Sequence, residues 1–379
     1  MRAESNLSFL VSHSIKDIPE ADWNRLFGEN IIEGFGYHKT LEDSNLKEFS
    51  LRYLLARNNG TLVAIIPFFI SDFSFTTLIQ GKLQKLIFAI QKVFPRFLRF
   101  KLLFAGSPTG EELYVGIDKN ENLENILNGA THILKLIGKK EKTAATLFFN
   151  LSEKHKDITR YLNKQSFTGM KSFPNTVLEI SAASLDDYIN QLGKSTRKSL
   201  RKKLRDTQNS TQLRTQVTED ISAVKDRIYE LYLNNLTDSE VSFEILTPEF
   251  FTNVAKYMPG IAKYFLTWDN GNIIAFNLLF IKGDTAIDKF IGFDKELSHK
   301  YNLYYATFSH NLDYCIKNKI KFYQLGVTDY EPKTRLGAQI IPLYVYTKFM
   351  NPLLNFVAKP IISLIQPANF DPVLKALKY

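Results

Sequence analysis

The most constraining feature of this sequence is an internal repeat. Residues 51–70, LRYLLARNNGTLVAIIPFFI, align without gaps to residues 262–281, AKYFLTWDNGNIIAFNLLFI, and seven positions are identical. Each copy has two apolar runs around an Asn-Gly pair, which tolerates the positive φ angles of a tight hairpin turn. Two unrelated hairpins would share the turn chemistry but not the flanking identities. The repeat therefore predicts two duplicated β-hairpins, with chance similarity between two hairpins as the alternative.

The segments around the two hairpins follow the same order. Helical patterns precede each hairpin, and a strand, a helix and another strand follow it. These segments are RFKLLFAG, NLENILNGATHILKLIG and AATLFFN in the first copy, and AIDKFIGFD, NLYYATFSHNLDYCIKN and IKFYQLG in the second. The order predicts an α/β protein of two tandem domains. We place them at residues 1–173 and 174–350, followed by an apolar C-terminal tail at 351–379.

The segment GKSTRKSLRKKLRD, residues 193–206, carries seven positive charges against one negative charge, in a chain whose formal net charge is +9. On a helix, five of these cations share one face because they recur at intervals of three and four. They are Lys194, Arg197, Lys198, Arg201 and Arg205. Leu200 and Leu204 would form the buried face. Such a cationic face either borders an anion or is simply solvated, and both interpretations stay open.

The composition bounds the chemistry. The single cysteine, Cys315, excludes an internal disulfide and a Cys-based zinc site, and the six histidines show no metal-ligand spacing. The N-terminal residues lack the uninterrupted apolar core of a secretion signal, and no apolar run reaches bilayer-spanning length. We therefore expect a cytoplasmic protein that uses no metal, with Cys315 in the core.

Two polar segments of the second copy are suited to binding. Residues 295–302, KELSHKYN, form a polar loop between a strand and a helix, where free N–H groups and the helix dipole favour an anion and Lys300 adds charge. Residues 325–338, LGVTDYEPKTRLGA, begin at a strand end and present a phenol and two cations. These side chains are Tyr330, Lys333 and Arg335. An ordinary connection is the alternative for each segment.

Together these residues resemble a known family. The fold order is similar to that of the GNAT superfamily of acyltransferases. The doubling, the segment LGKSTRKSLRKKLR after TVLEIS, and the block at 325–338 resemble the double-domain Fem-like peptidoglycan-biosynthesis and GNAT-type proteins of bacteria. The block fits the pattern G-x-T-x-Y-x-x-K-x-x-x-G-A through Gly326, Thr328, Tyr330, Lys333, Gly337 and Ala338. The resemblance covers residues 5–350 and implies an α/β (α+β) fold of two tandem GNAT-like domains, each a mixed, mostly antiparallel sheet flanked by helices.

The resemblance also implies a reaction. It is acyl transfer from acyl-CoA, with acetyl-CoA as the first choice, to an amine on a small molecule, amino sugar or lipid-linked cell-envelope precursor. The C-terminal domain would be catalytic and the N-terminal domain degenerate, and strand residues 286–293 would line the pantetheine arm. The implied acid–base residues are Asp288 and Tyr330. The implied donor pyrophosphate site is His299, Lys300, Tyr301 and Asn302. The implied substrate-binding cations are Arg197, Lys198, Arg201, Lys333 and Arg335.

Three alternatives stay open. The chain resembles Fem-type ligases that use aminoacyl-tRNA, although it lacks their long coiled-coil insertion. A second alternative is a non-enzymatic protein that binds nucleic acid or a membrane surface through the 194–205 helix. Because residues 193–206 contain no aromatic side chain on which bases could stack, we expect no stable nucleic-acid complex. The apolar, basic stretches 82–101 and 351–379 suit either a peripheral contact with the inner face of the membrane or packing against the protein body or a second subunit of a homodimer.

Overall fold

The computed structural model describes residues 7–29, 31–74, 99–238, 245–356, 366–369 and 371–379. The chain divides into two compact units. The first unit comprises residues 1–42, 46–174 and 342–379, and the second comprises 43–45 and 175–341. Among the described helices, none is both long enough and apolar enough to cross a membrane.

Each unit is built on one sheet. The strands are β1 (Leu7–Ser12), β2 (Ser50–Asn58), β3 (Thr61–Ser74), β4 (Arg99–Ala105), β5 (Gly116–Ile117), β6 (Ala145–Leu151), β7 (Thr168–Lys171), β8 (Asn175–Glu179), β9 (Arg214–Thr218), β10 (Ala262–Asp269), β11 (Asn272–Lys282), β12 (Thr285–Phe293), β13 (Phe322–Gly326), β14 (Gln339–Ile341) and β15 (Tyr344–Phe349). The first sheet has the order β1-β2-β3-β4-β6-β15-β7, with β5 on β3, and the second has the order β14-β8-β13-β12-β11-β10-β9. Among the described strands, only β4 with β6 and β12 with β13 pair in parallel. The predicted mixed, mostly antiparallel sheets are confirmed.

Helices flank both sheets, as predicted. They are α1 (Glu20–Phe27), α2 (Phe35–Asp43), α3 (Leu123–Lys140), α4 (Lys156–Lys164), α5 (Leu185–Gln191), α6 (Lys194–Ser210), α7 (Lys225–Asp238), α8 (Pro248–Tyr257), α9 (Lys295–Lys300), α10 (Leu303–Lys317), α11 (Tyr330–Arg335) and α12 (Pro372–Ala376). Side chains cap several helix starts, among them Asn122 before α3 and Ser184 before α5. Cys315 of α10 is fully buried in the core of the second unit, as expected.

The two hairpins are copies of one another in geometry as well as in sequence. Asn59-Gly60 has φ angles of 50° and 83°, and Asn270-Gly271 has φ angles of 47° and 80°. Each hairpin also carries an irregularity in register at the equivalent place, between Ala56 and Arg57 and between Thr267 and Trp268. A β-bulge inserts one unpaired residue and bends the strand. Chance hairpins have no reason to share its position, so the duplication is supported.

The predicted domain boundary at residue 350 is wrong for one strand. β15 pairs with β6 and β7 in the first sheet, so residues 342–350 belong to the first unit and not to the second. β8 follows β7 in the chain but pairs with β13 and β14 in the second sheet. Of these two strands, only β15 therefore lies outside the sheet of the domain in which the sequence placed it. The apolar pattern of a strand does not show which other strand it pairs with, so sequence could not place β15.

The two apolar, basic stretches are described only in part. Residues 82–98 lie outside the described residues, and 99–101 begin β4. At the end of the C-terminal stretch, Tyr379 Oη donates to the Ser172 carbonyl at 2.9 Å, which ties the last residue to the first unit. Leu353, Leu354 and Phe356 are 70, 50 and 81% exposed. Membrane contact through these stretches stays a prediction.

Candidate functional site

The second sheet opens beside Asp288. β12 pairs with β13 only from Thr285 to Ile287, although β12 continues to Phe293. On that edge, residues 288–293 have no strand partner among the described strands. Two parallel strands that separate leave backbone N–H and C=O groups for an extended ligand to pair with. Asp288 is the first residue past the last paired position.

Two donors hold the Asp288 carboxylate. Tyr323 Oη donates to Oδ2 at 2.8 Å, and Asn277 Nδ2 lies 3.2 Å from both carboxylate oxygens. Asn311 Nδ2 donates to Tyr323 Oη at 3.2 Å, so the Tyr323 hydroxyl hydrogen is directed at the carboxylate. All three partners are buried. Side chains from β11, β13 and α10 therefore fix the position of this carboxylate.

The surroundings of Asp288 make it a weaker acid than usual. Burial raises the pKa of Asp288 from 3.8 to about 6, against the hydrogen bonds from Tyr323 and Asn277 and the positive charge of Lys333, which lower it. The side chain is nevertheless partly exposed. A carboxyl group of this pKa is mostly ionised at neutral pH and is well matched to accept a proton there.

The loop between β13 and α11 is strained and closed by Lys333. Gly326, Thr328 and Asp329 have φ angles of 73°, 75° and 47°. A β-branched residue at positive φ is a genuine outlier, and each such residue costs about 1–3 kcal/mol. Lys333 Nζ lies 3.4 Å from the Gly326 carbonyl and 3.3 Å from that of Val327, and its side chain is buried. The strained loop thus holds a buried cation whose charge acts on Asp288.

The three candidate side chains of the block at 325–338 lie in different surroundings. Tyr330 is the first residue of α11 and is only 1% exposed. Arg335 lies in the last turn of α11, is exposed, and pairs with Glu331 at 2.8 Å. The charge of Lys333 therefore acts on Asp288, whereas Arg335 forms an ion pair at the surface. In the described part of the chain, no group of three or more His, Cys, Asp or Glu side chains could hold a metal ion.

The polar loop expected at 295–302 is mostly the short helix α9. Asp294 caps it by accepting from the Leu297 N–H, which favours a helical turn over a loop. His299 and Lys300 are exposed at its end. Tyr301 packs into an apolar cluster with Ile274, Phe293 and Leu303. Asn302 precedes α10 with a φ of 47°. Two candidates thus face solvent, whereas the Tyr301 ring contributes to packing.

The basic segment forms α6, which begins at Lys194 after Gly193, as predicted. Leu200 is buried in the core of the second unit and Leu204 packs against it. Arg197 and Arg201 donate to α5, whereas Lys198 is exposed. The predicted two-faced helix is confirmed.

Sequence reasoning missed Tyr323, Asn277 and Asn311, although a signal for Asn277 exists. In the alignment of the two copies, Asn277 stands where the first copy has Ile66. Ala105 pairs with Phe68 in the first sheet, and Asp288 pairs with Leu279 in the second. Because Leu279 aligns with Phe68, Ala105 is the counterpart of Asp288 in the first copy. Ile66 and Ala105 are fully buried. Asn277 and Asp288 are thus polar residues at positions where the first copy has buried apolar residues, and this difference between the copies marks the site.

Comparisons with known proteins agree with this architecture. The model of the FemAB-like family, described as peptidoglycan biosynthesis/recognition, matches residues 14–356. The "Putative 8-amino-7-oxononanoate synthase 2" of Mycobacterium tuberculosis (strain H37Rv) is 21% identical over 328 residues, which are 83% of this chain and 42% of that protein. The chain thus spans less than half the length of the curated relatives it matches.

Solved structures show the same fold at low identity. The crystal structure of FemX has a TM-score of 0.57 at 12% identity and covers 92% of this chain and 99% of that chain. The tandem GNAT protein from the clavulanic acid biosynthesis pathway has a TM-score of 0.54 at 10% identity, with coverage of 92% and 99%. The family match spans both units, so this chain belongs to the FemAB-like family, and its fold is that of FemX and of the tandem GNAT protein.

Proposed function

We propose that the second unit transfers an acyl group from acyl-CoA to a primary amine of a cell-envelope precursor, with Asp288 as the general base. The observation that carries the proposal is the position of Asp288. Its partly exposed carboxylate, held by Tyr323 and Asn277, lies where β12 leaves β13. An extended donor paired with residues 288–293 would run past this carboxylate.

The reaction balances with the side chains of this site. The amine nitrogen attacks the thioester carbonyl carbon, the C–S bond breaks, and an amide forms. Asp288 accepts the proton that the nitrogen loses, and the departing thiolate takes up a proton, for which Tyr330 is the proposed acid. Lys333 is buried beside the opening, and its positive charge would stabilise the oxyanion of the tetrahedral intermediate.

The donor phosphates are proposed to lie at the start of α10. The exposed His299 and Lys300 lie four and three residues before the start of α10, and Asn302 directly precedes the helix, whose dipole favours an anion at this end. The buried Tyr301 ring would support this turn. The donor is acetyl-CoA in this proposal, and the proposed location is the cytoplasm.

The two units are proposed to have different roles. The buried Ile66 and Ala105 of the first unit occupy the positions of Asn277 and Asp288. Hydrophobic side chains at these positions cannot accept a proton or orient a carboxylate. This difference supports a degenerate first unit and a catalytic second unit.

Aminoacyl-tRNA is the second candidate donor, because the chain also resembles Fem-type ligases that use it. The same attack by an amine would then break an ester C–O bond and release the tRNA 3′ or 2′ hydroxyl. Asp288 would accept the same proton, so the site alone supports both donors.

A transfer assay distinguishes the donors and tests the base. The full chain is incubated with labelled acetyl-CoA or with aminoacyl-tRNA, and with amino sugars or an amine-bearing nucleotide-linked peptidoglycan precursor. We expect product from acetyl-CoA and a fall in kcat of at least about 100-fold in Asp288→Asn. Asp284→Asn is the control, because Asp284 is exposed at the preceding turn. Product from aminoacyl-tRNA alone would show that aminoacyl-tRNA, and not acetyl-CoA, is the donor. Equal activity of the Asp288→Asn and Asp284→Asn variants would show that Asp288 is not the general base.

A further inference from the structure

A cationic groove runs between α5 and α6 in the second unit. Its volume is about 570 Å³, within the range of small-molecule sites. Five cations and one carboxylate line the groove: Lys194, Arg197, Lys198, Arg201, Arg205 and Asp186. The lining therefore has a strong positive excess.

The cations divide into two groups. Arg197 Nη1 donates to the Asn190 carbonyl at 2.7 Å, and Arg201 Nη2 donates to Asp186 Oδ1 at 2.8 Å. These two arginines join α6 to α5 and are fixed in place. Three further cations have no ion pair or hydrogen bond among the described residues: Lys194, Lys198 and Arg205. The groove therefore combines positioned arginines with uncompensated charge.

This arrangement is unfavourable for the helix alone. Lys194 and Lys198 are four residues apart, as are Arg201 and Arg205, and such like-charge pairs destabilise a helix. The first turn of α6 contains no acidic residue, and its cations oppose the helix dipole. Packing of Leu200 and Leu204 holds the helix in place despite this repulsion. A compact anion with several charges would relieve the repulsion.

We propose that this groove binds the phosphate or pyrophosphate group of a substrate. The inference rests on the proposed function, because both acyl-CoA and a nucleotide- or lipid-linked acceptor carry a pyrophosphate. Leu200, on the opposite face of α6, packs in the same core as Tyr323, which donates to Asp288. The groove lining has no aromatic side chain on which unpaired bases could stack, so an extended single-stranded nucleic acid fits it less well.

Calorimetric titration of the full chain with inorganic pyrophosphate tests the groove. The variants are Lys198→Glu and Arg205→Glu, which leave the α5–α6 hydrogen bonds intact. Lys202→Glu is the matched control, because Lys202 is exposed on the same helix but outside the groove. We expect the affinity for pyrophosphate to fall at least about tenfold in the two groove variants and less than about twofold in the control.

Titrations with CoA and with UDP then distinguish the sources of the phosphate. Weaker binding of UDP alone in the groove variants assigns the groove to the acceptor. Weaker binding of CoA alone assigns it to the donor and overturns the placement of the donor phosphates at the start of α10. An equal effect of Lys202→Glu would overturn the proposal, as would no binding of pyrophosphate at millimolar concentration or groove-dependent binding of RNA alone. Binding is measured without turnover, so failure of the transfer assay would leave a positive titration standing.

Discussion

Replacing Asp288 with Asn should separate the role of this carboxylate in the reaction from its cost to stability. Burial raises the pKa of Asp288 from 3.8 to about 6, and each pKa unit corresponds to about 1.4 kcal/mol. The ionised group therefore destabilises the folded second unit by at most about 3 kcal/mol, and by about 1–2 kcal/mol after allowance for its partial exposure.

The folded chain binds more protons than the unfolded chain between pH 4 and 6 because the folded-state pKa is the higher one. Stability of the parent protein therefore falls as pH rises through this window. The asparagine introduced at position 288 keeps an oxygen that accepts from Tyr323. Its new N–H group can donate to Asn277 Oδ1, which is buried without a partner, once the Asn277 amide rotates. We expect Asp288→Asn to gain about 1–2 kcal/mol at pH 8 and nothing below pH 4.

Urea unfolding followed by tryptophan fluorescence measures this difference. The chain has two tryptophans, so a Trp23→Phe background leaves Trp268 of the second unit as the reporter. Both the parent and the Asp288→Asn variant carry this change. Destabilisation of equal size at pH 8 and pH 4 would refute the desolvation argument, because a lost hydrogen bond or poor packing would not depend on the ionisation of Asp288.

Three further predictions follow from the geometry. Tyr323→Phe removes a hydrogen bond that lowers the pKa of Asp288, so the acidic limb of the kcat/KM profile should move up by about one pH unit; an unmoved limb would contradict this. Gly60→Ala and Gly271→Ala place a Cβ at φ angles of 83° and 80°, and each should lower the free energy of unfolding by about 1 kcal/mol; a cost in one copy only would argue against equivalent turns. Leu200→Ala should cost about 2–5 kcal/mol in urea unfolding, against less than about 0.5 kcal/mol for Lys202→Ala, and similar costs would show that Leu200 is not a core residue.

Sequence predicted the parts of the fold that depend on local chemistry. The Asn-Gly turns, the apolar strands beside them and the two-faced α6 all follow from residues a few positions apart, and the structure confirms them. The partners of β8 and β15 did not follow, because strand pairing is a long-range choice that apolar periodicity does not encode. The α9 helix was missed because one capping residue, Asp294, converts a polar loop into a helical turn.

The candidate site shows the same division. The polar block at 325–338 pointed to Lys333 from the sequence itself, and the family resemblance implied Asp288. Only the tertiary structure joined Asp288 to Tyr323 and Asn311, which lie 35 and 23 residues further along the chain. The pKa of a carboxyl depends on the water it loses and on the donors it meets. Both are set when β11, β12, β13 and α10 pack together, so the sequence determined which groups are present and the packing decided which of them act on one another.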